Sequence, residues 1–199
     1  SICEQGIEIL KEHPDNSILL TLLHEISWAY QSLGQFQESL EYAIKYHKTA
    51  RKEKDKKRES SALNTLGVLY WRLSSYDEAM EYILKSHEIS EELGDRKGIA
   101  GSYCNIAILN KRMGFLERSL DNYSKALKLF RELKDENNIA LTLHNLGNFY
   151  VDDGNYEKAE EYYIESLGLR QKIGDLFGVS HTKISLGKIY KERGEYKQA

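Results

Sequence analysis

Apolar and small residues recur along the chain at helical spacing. Leu63, Leu66, Gly67 and Tyr70 stand at i, i+3, i+4 and i+7, one stripe of a helix running from about Lys56 to Leu73. Ala79, Tyr82, Ile83 and Ser86 repeat that spacing in a second helix from about Tyr76 to Leu93. A glycine inside a helix costs about 1 kcal/mol relative to alanine. Gly67 in the first stripe therefore predicts a close approach there, with the second helix as the natural neighbour. The pattern reads as helix, tight turn, helix, tight turn, each helix about 18 residues or roughly 27 Å long.

Shifted by 40 residues, the chain matches itself. Asp15, Asp55, Asp95, Asp135 and Asp175 fall in one row, and Ile26, Leu66, Ile106, Leu146 and Leu186 in another. Ser27, Gly67, Ala107, Gly147 and Gly187 form a small-residue row, and Tyr30, Tyr70, Asn110, Tyr150 and Tyr190 follow it. Gly34, Ser74, Gly114, Gly154 and Gly194 stand where the first helix ends, a place for a left-handed cap. Phe36, Tyr76, Leu116, Tyr156 and Tyr196, then Ser39, Ala79, Ser119, Ala159 and Ala199, belong to the second helix. The recurring aspartate is placed to cap each first helix through its free backbone N–H groups.

The fold class expected is all-α, a solenoid of antiparallel helix pairs in which neighbours bury what one pair cannot. Its copies span 14–53, 54–93, 94–133 and 134–173, with a truncated fifth at 174–199. Residues 1–13, SICEQGIEILKEH, sit where the second helix of a preceding copy would be. Both ends thus fall inside a repeat, and the expectation is a fragment of a longer protein. Ile7, Leu10, Ile184 and Ile189 would then be exposed at its ends and promote end-to-end self-association.

Composition narrows the setting. A single proline, where roughly ten would be average, fits long unbroken helices. No apolar run approaches the roughly 18 residues of a membrane span, so no membrane partner is expected. A net charge of -3 offers no general attraction to nucleic acid. The two cysteines, Cys3 and Cys104, show no ligand spacing and read as free thiols of a reducing, cytoplasmic compartment.

The residues L-G-x-x-Y followed by G-x-Y-x-x-A, complete in Leu146, Gly147, Tyr150, Gly154, Tyr156 and Ala159 and continued by Tyr163 and Ser166, resemble the tetratricopeptide repeat. The resemblance covers essentially the whole chain. It departs in two respects: Arg51, Glu91, Arg131 and Gln171 replace the family's proline, and the period is longer than the usual 34. Both are similar to the long-repeat subgroup of kinesin light chain, Rap-type regulators and bacterial sensor arrays. The resemblance implies a right-handed superhelix whose first helices line a concave groove.

It also implies which residues face that groove. These are Thr21, His24, Trp28, Gln31 and Ser32; Ser61, Asn64, Val68, Trp71 and Arg72; and Cys104, Asn105, Ile108, Lys111 and Arg112. The later copies add His144, Asn145, Asn148 and Asp152, then His181, Ile184, Lys188 and Lys191. Trp28 and Trp71 are candidate anchors for a bound segment, or packing against the next repeat. Asn64, Asn105, Asn145 and Asn148 form a polar line able to bond an extended backbone, although Asn105 and Asn145 could equally bond between helices. Arg72, Lys111 and Arg112 would draw an acidic segment. The lysine and asparagine clamp of chaperone adaptors is not matched, since His24 and Trp28 stand where it would begin.

Enzymatic and cofactor readings find little support. RKEKDKKRE, 51–59, carries acids among its bases and straddles a turn. His47, His87 and His144 form no HxxxH or HExxH pair, and Asp152 with Asp153 lacks Ca²⁺-loop spacing and reads as a solvated helix end. The function expected is a non-catalytic protein-interaction module binding a peptide or protein segment, part of a larger bacterial signalling protein. The alternative is a structural spacer acting through self-association.

Overall fold

The computed structural model describes residues 15–194. Among them run nine helices: α1 (Asn16–Ser32), α2 (Phe36–Lys52), α3 (Lys56–Arg72), α4 (Tyr76–Leu93), α5 (Arg96–Arg112), α6 (Leu116–Glu132), α7 (Glu136–Asp152), α8 (Tyr156–Lys172) and α9 (Leu176–Glu192). The odd-numbered helices are the first of each pair, the even-numbered the second. Expectations on residues 1–13, including Cys3, Ile7 and Leu10, and on Tyr196 and Ala199 lie outside the described residues.

Local chemistry starts and stops the helices at the anticipated rows. The side chains of Asp15, Asp55, Asp135 and Asp175 cap α1, α3, α7 and α9, and Asp95 accepts the Gly98 N–H in the first turn of α5. The turns after α1, α5 and α7 pass through left-handed Gly34, Gly114 and Gly154. Ser74, Lys54 and Lys134 adopt the same conformation with φ between 54° and 63°, where a side chain carries a steric penalty of about 1–2 kcal/mol.

The chain falls into two compact units, divided between Leu109 and Asn110. In the first, Leu20 and Leu23 of α1 cluster with Tyr46 and Ala50 of α2 and Ala62 of α3. Ala43 of α2 packs with Leu66 and Leu69 of α3, and Ala79 and Ile83 of α4 with Ile106 and Leu109 of α5. In the second unit, Ala159 and Tyr163 of α8 pack with Leu186 and Ile189 of α9. A second helix thus packs its buried stripe on the first helix of the next copy, each large side chain contributing about 1.5–3 kcal/mol. Ile189, expected to be exposed at the end of the chain, is instead only 1% exposed because α8 covers it; Ile184 is 59% exposed.

The small-residue row is where paired helices touch. A Cβ on Gly67 would fall 2.4 Å from an Ile83 side-chain carbon, and one on Gly147 would fall 2.4 Å from the Tyr163 ring. Near the other end of the stripe, Tyr30 stacks on Tyr42, Tyr70 on Tyr82 and Tyr150 on Tyr162, at 5.2–5.6 Å between centroids. Copy three carries Asn110 and Asn122 at those two positions.

Two stability changes of opposite sign are expected. Gly147→Ala should cost about 1–3 kcal/mol, because a packed ring cannot swing aside as a flexible chain end could. Lys134→Gly should gain about 0.5–1 kcal/mol by relieving its left-handed backbone. Chemical denaturation of both variants measures the pair, and a neutral Gly147→Ala would contradict the close approach.

Candidate interaction face of the first helices

In the first unit the two tryptophans part company. Trp71, near the end of α3, is half-buried against Ala79, Ile83, Ile106 and Leu109, with the exposed Arg72 guanidinium 4.6 Å from its ring. Its position is that of a packing residue. Trp28 on α1 is 59% exposed, and its backbone carbonyl accepts the Ser32 hydroxyl. His24 is half-buried, its ring 5.4 Å from that of Tyr46 and its Nδ1 3.5 Å from Glu25. Asn105 of α5 donates to Asn64 of α3 at 2.7 Å, so this pair does bond between helices.

Next to that amide pair, α3 and α4 are joined by hydroxyls that sequence reasoning missed. Ser60 lies 3.0 Å from the hydroxyls of both Ser86 and Ser90, and Ser86 donates to the Ser60 carbonyl at 2.8 Å. The places of Ser86 and Ser90 hold Tyr46 and Ala50 in copy one, Ala126 and Phe130 in copy three, and Ser166 and Arg170 in copy four. Serine there leaves a polar cleft of ≈ 270 Å³ reaching Asn64 and Asn105. The signal in the sequence was serine at both places in a single copy, with Ser60 facing them.

In the second unit the face is more heavily self-paired than expected. Lys111 Nζ sits 2.6 Å from the Asp152 carboxylate and donates to the Asn148 carbonyl at 2.9 Å, leaving its side chain 14% exposed. This removes Lys111 from the expected positive patch and gives Asp152 a partner rather than water alone. Arg112 remains exposed. Asn148 also accepts the Tyr163 hydroxyl at 2.6 Å; burial pushes that phenol up to about 12, so it stays a donor at neutral pH. Asn145 is half-buried.

His144 is not on the groove face. Tyr163 of α8 and His181 and Thr182 of α9 enclose it, leaving it 2% exposed. Its Nδ1 lies 3.3 Å from the Thr182 hydroxyl, and its Nε2 has no hydrogen-bond partner. Burial first, then the neighbouring His181 and Arg170, push its pKa down to about 4. No group of three or more candidate metal ligands gathers among the described residues, and no described helix is long and apolar enough to cross a membrane.

Family models described as tetratricopeptide repeats match residues 58–132 and 138–199, and a second such model matches 19–52. The chain belongs to the tetratricopeptide repeat family. Its tetratricopeptide fold is shared by BtubC (BKLC) from P. vanneervenii, with 24% identity and a TM-score of 0.76 over 99% of this chain and 82% of that one. A Rap protein complexed with competence and sporulation factor gives 16% identity and a TM-score of 0.85 over 98% of this chain. NprR in complex with its cognate peptide NprX gives 21% and 0.78, also over 98%. The tetratricopeptide chain spans 55% of that Rap structure and 57% of that NprR structure. A comparison with curated protein sequences gives no significant match.

The buried histidine makes stability pH-dependent. Between its unfolded pKa of about 6.5 and its folded value of about 4, the unfolded chain binds a proton that the folded chain refuses. Stability contributed by neutral His144 is therefore complete above pH 6.5 and lost as pH falls towards 4, by up to about 3 kcal/mol. Denaturation of wild type and His144→Gln across this range should show their difference shifting by a large part of that amount. A constant difference would contradict the assignment.

Proposed function

We propose that this tetratricopeptide array is a non-catalytic interaction module holding an extended peptide or protein segment on the groove face of its first helices. The observation that carries the reading is the set of half-buried amides on that face, with Asn145 making no hydrogen bond to the described residues. A carboxamide can donate to a backbone C=O and accept from a backbone N–H at once, which suits an extended ligand. Trp28, exposed on α1, adds a rigid aromatic surface of the kind that anchors bound segments. Exposed Arg72 and Arg112 favour acidic residues in the ligand. The complexes of Rap with competence and sporulation factor and of NprR with NprX support a peptide as ligand class. The same reading makes the array the regulatory or sensory part of a larger bacterial signalling protein.

Peptides selected on the immobilised protein from a random-sequence display library test the proposal, with affinities read by fluorescence anisotropy. Asn145→Ala or Trp28→Ala should weaken the selected peptides by about tenfold while helical circular dichroism is unchanged. Binding indifferent to both substitutions would overturn the reading. A library that yields no binder, from a protein that self-associates with rising concentration, favours a spacer instead.

A further inference from the structure

The residue that enters the wedge between neighbouring first helices is Trp71 in copy two, Lys111 in copy three and Val151 in copy four. Trp71 fills its wedge by packing on Ile106 and Leu109. Lys111 fills its own differently. Its Nζ stands 5.9 Å from the centre of the Phe149 ring and meets two acceptors, the Asn148 carbonyl and the Asp152 carboxylate.

Val151 packs on the equivalent cluster, Ala159, Tyr163, Leu186 and Ile189, but is too short to fill the wedge. Beside it lies an open cleft of ≈ 390 Å³ bounded by Val151, Tyr156, Ile189, Lys188 and Glu192. Forty residues on from the groups that hold Lys111, Phe149 becomes Ile189, Asn148 becomes Lys188 and Asp152 becomes Glu192. The apolar floor, a backbone carbonyl and a carboxylate are thus all repeated, and the lysine is what is missing. Glu192 forms no ion pair with the described residues, so its carboxylate is available to an incoming cation.

We propose that the cleft beside Val151 seats a lysine side chain of the bound segment, an inference that rests on the peptide-binding reading above. The butyl stem lies on Val151, Tyr156 and Ile189, where an aminoalkyl chain buries carbon while keeping its head at the rim. The ammonium reaches the Glu192 carboxylate and the Lys188 backbone carbonyl, as Lys111 reaches Asp152 and the Asn148 carbonyl. The Lys188 ammonium lines the same cleft and opposes this cation. With Glu192 it leaves the cleft without net charge, so preference for lysine comes from the placement of the carboxylate and is modest.

The probes are Nα-acetyl-lysine-N-methylamide, its norleucine analogue, which lacks the ammonium, and its glutamate analogue. Methyl NMR shifts of Val151 and Ile189 read their binding to the whole chain. The lysine compound should saturate these shifts about threefold more tightly than norleucine, and more tightly still in Lys188→Ala. Glu192→Gln should erase the advantage, and Val151→Lys should abolish binding of all three by filling the wedge. Equal binding of norleucine, tighter binding of glutamate, absence of shifts, or a lysine preference that survives Glu192→Gln would each overturn the inference. If peptides bind in an Asn145-dependent manner but the lysine compound does not seat, this inference alone fails. If the compound seats and no peptide binds, the cleft's preference for lysine stands, but the peptide-binding reading fails and with it the claim that this lysine belongs to a bound segment.

Discussion

Everything in this chain depends on how closely the two helices of a pair can approach. At Gly67 and Gly147 there is no room even for a methyl group, because Ile83 and Tyr163 already occupy the space above the backbone. The contact sets which residues of the first helix turn towards its partner and which turn away. The faces available for binding are defined by subtraction, since the groove face is what remains after the small-residue stripe has been committed. In copy one the facing position is Ala43 and the row holds Ser27, whereas copy three carries Ala107 and Tyr123 at those two places.

Repetition made the fold legible from sequence. Five aspartates and the turn row at one spacing outweigh any single propensity, and even Ser74, Lys54 and Lys134 follow the register against their own preference. The interaction face was only partly legible, for a physical reason. Helical periodicity gives the direction in which a side chain leaves the backbone, but not whether a neighbour 30 or 40 residues away reaches it. Lys111 points as expected and is nonetheless neutralised by Asp152, and His144 is covered because Tyr163, His181 and Thr182 converge on it.

The same register lets copies be compared position by position, and their differences are where chemistry can reside. Serine at both 86 and 90, a pairing that only copy two has, lines a polar recess. Valine in place of lysine opens a partly apolar one at Val151. Each substitution leaves the helix pair intact, because neither position belongs to the row of close approach. A solenoid can thus diversify its surface without disturbing its frame.

Hydroxyl bonds between paired helices supplement apolar packing in both units, with a thermal consequence. In the first, hydroxyls join the paired helices: Ser39 donates to the Ser27 carbonyl at 2.7 Å, and Ser60, Ser86 and Ser90 extend the pattern. In the second, Ser166 donates to the Ala140 carbonyl at 2.7 Å beside the buried rings of Tyr123, Phe130, Phe149 and Tyr163. Apolar burial weakens on cooling, whereas hydrogen bonds to carbonyls do not share that dependence. Cold therefore weakens the apolar contacts of both units while leaving these hydroxyl bonds in place.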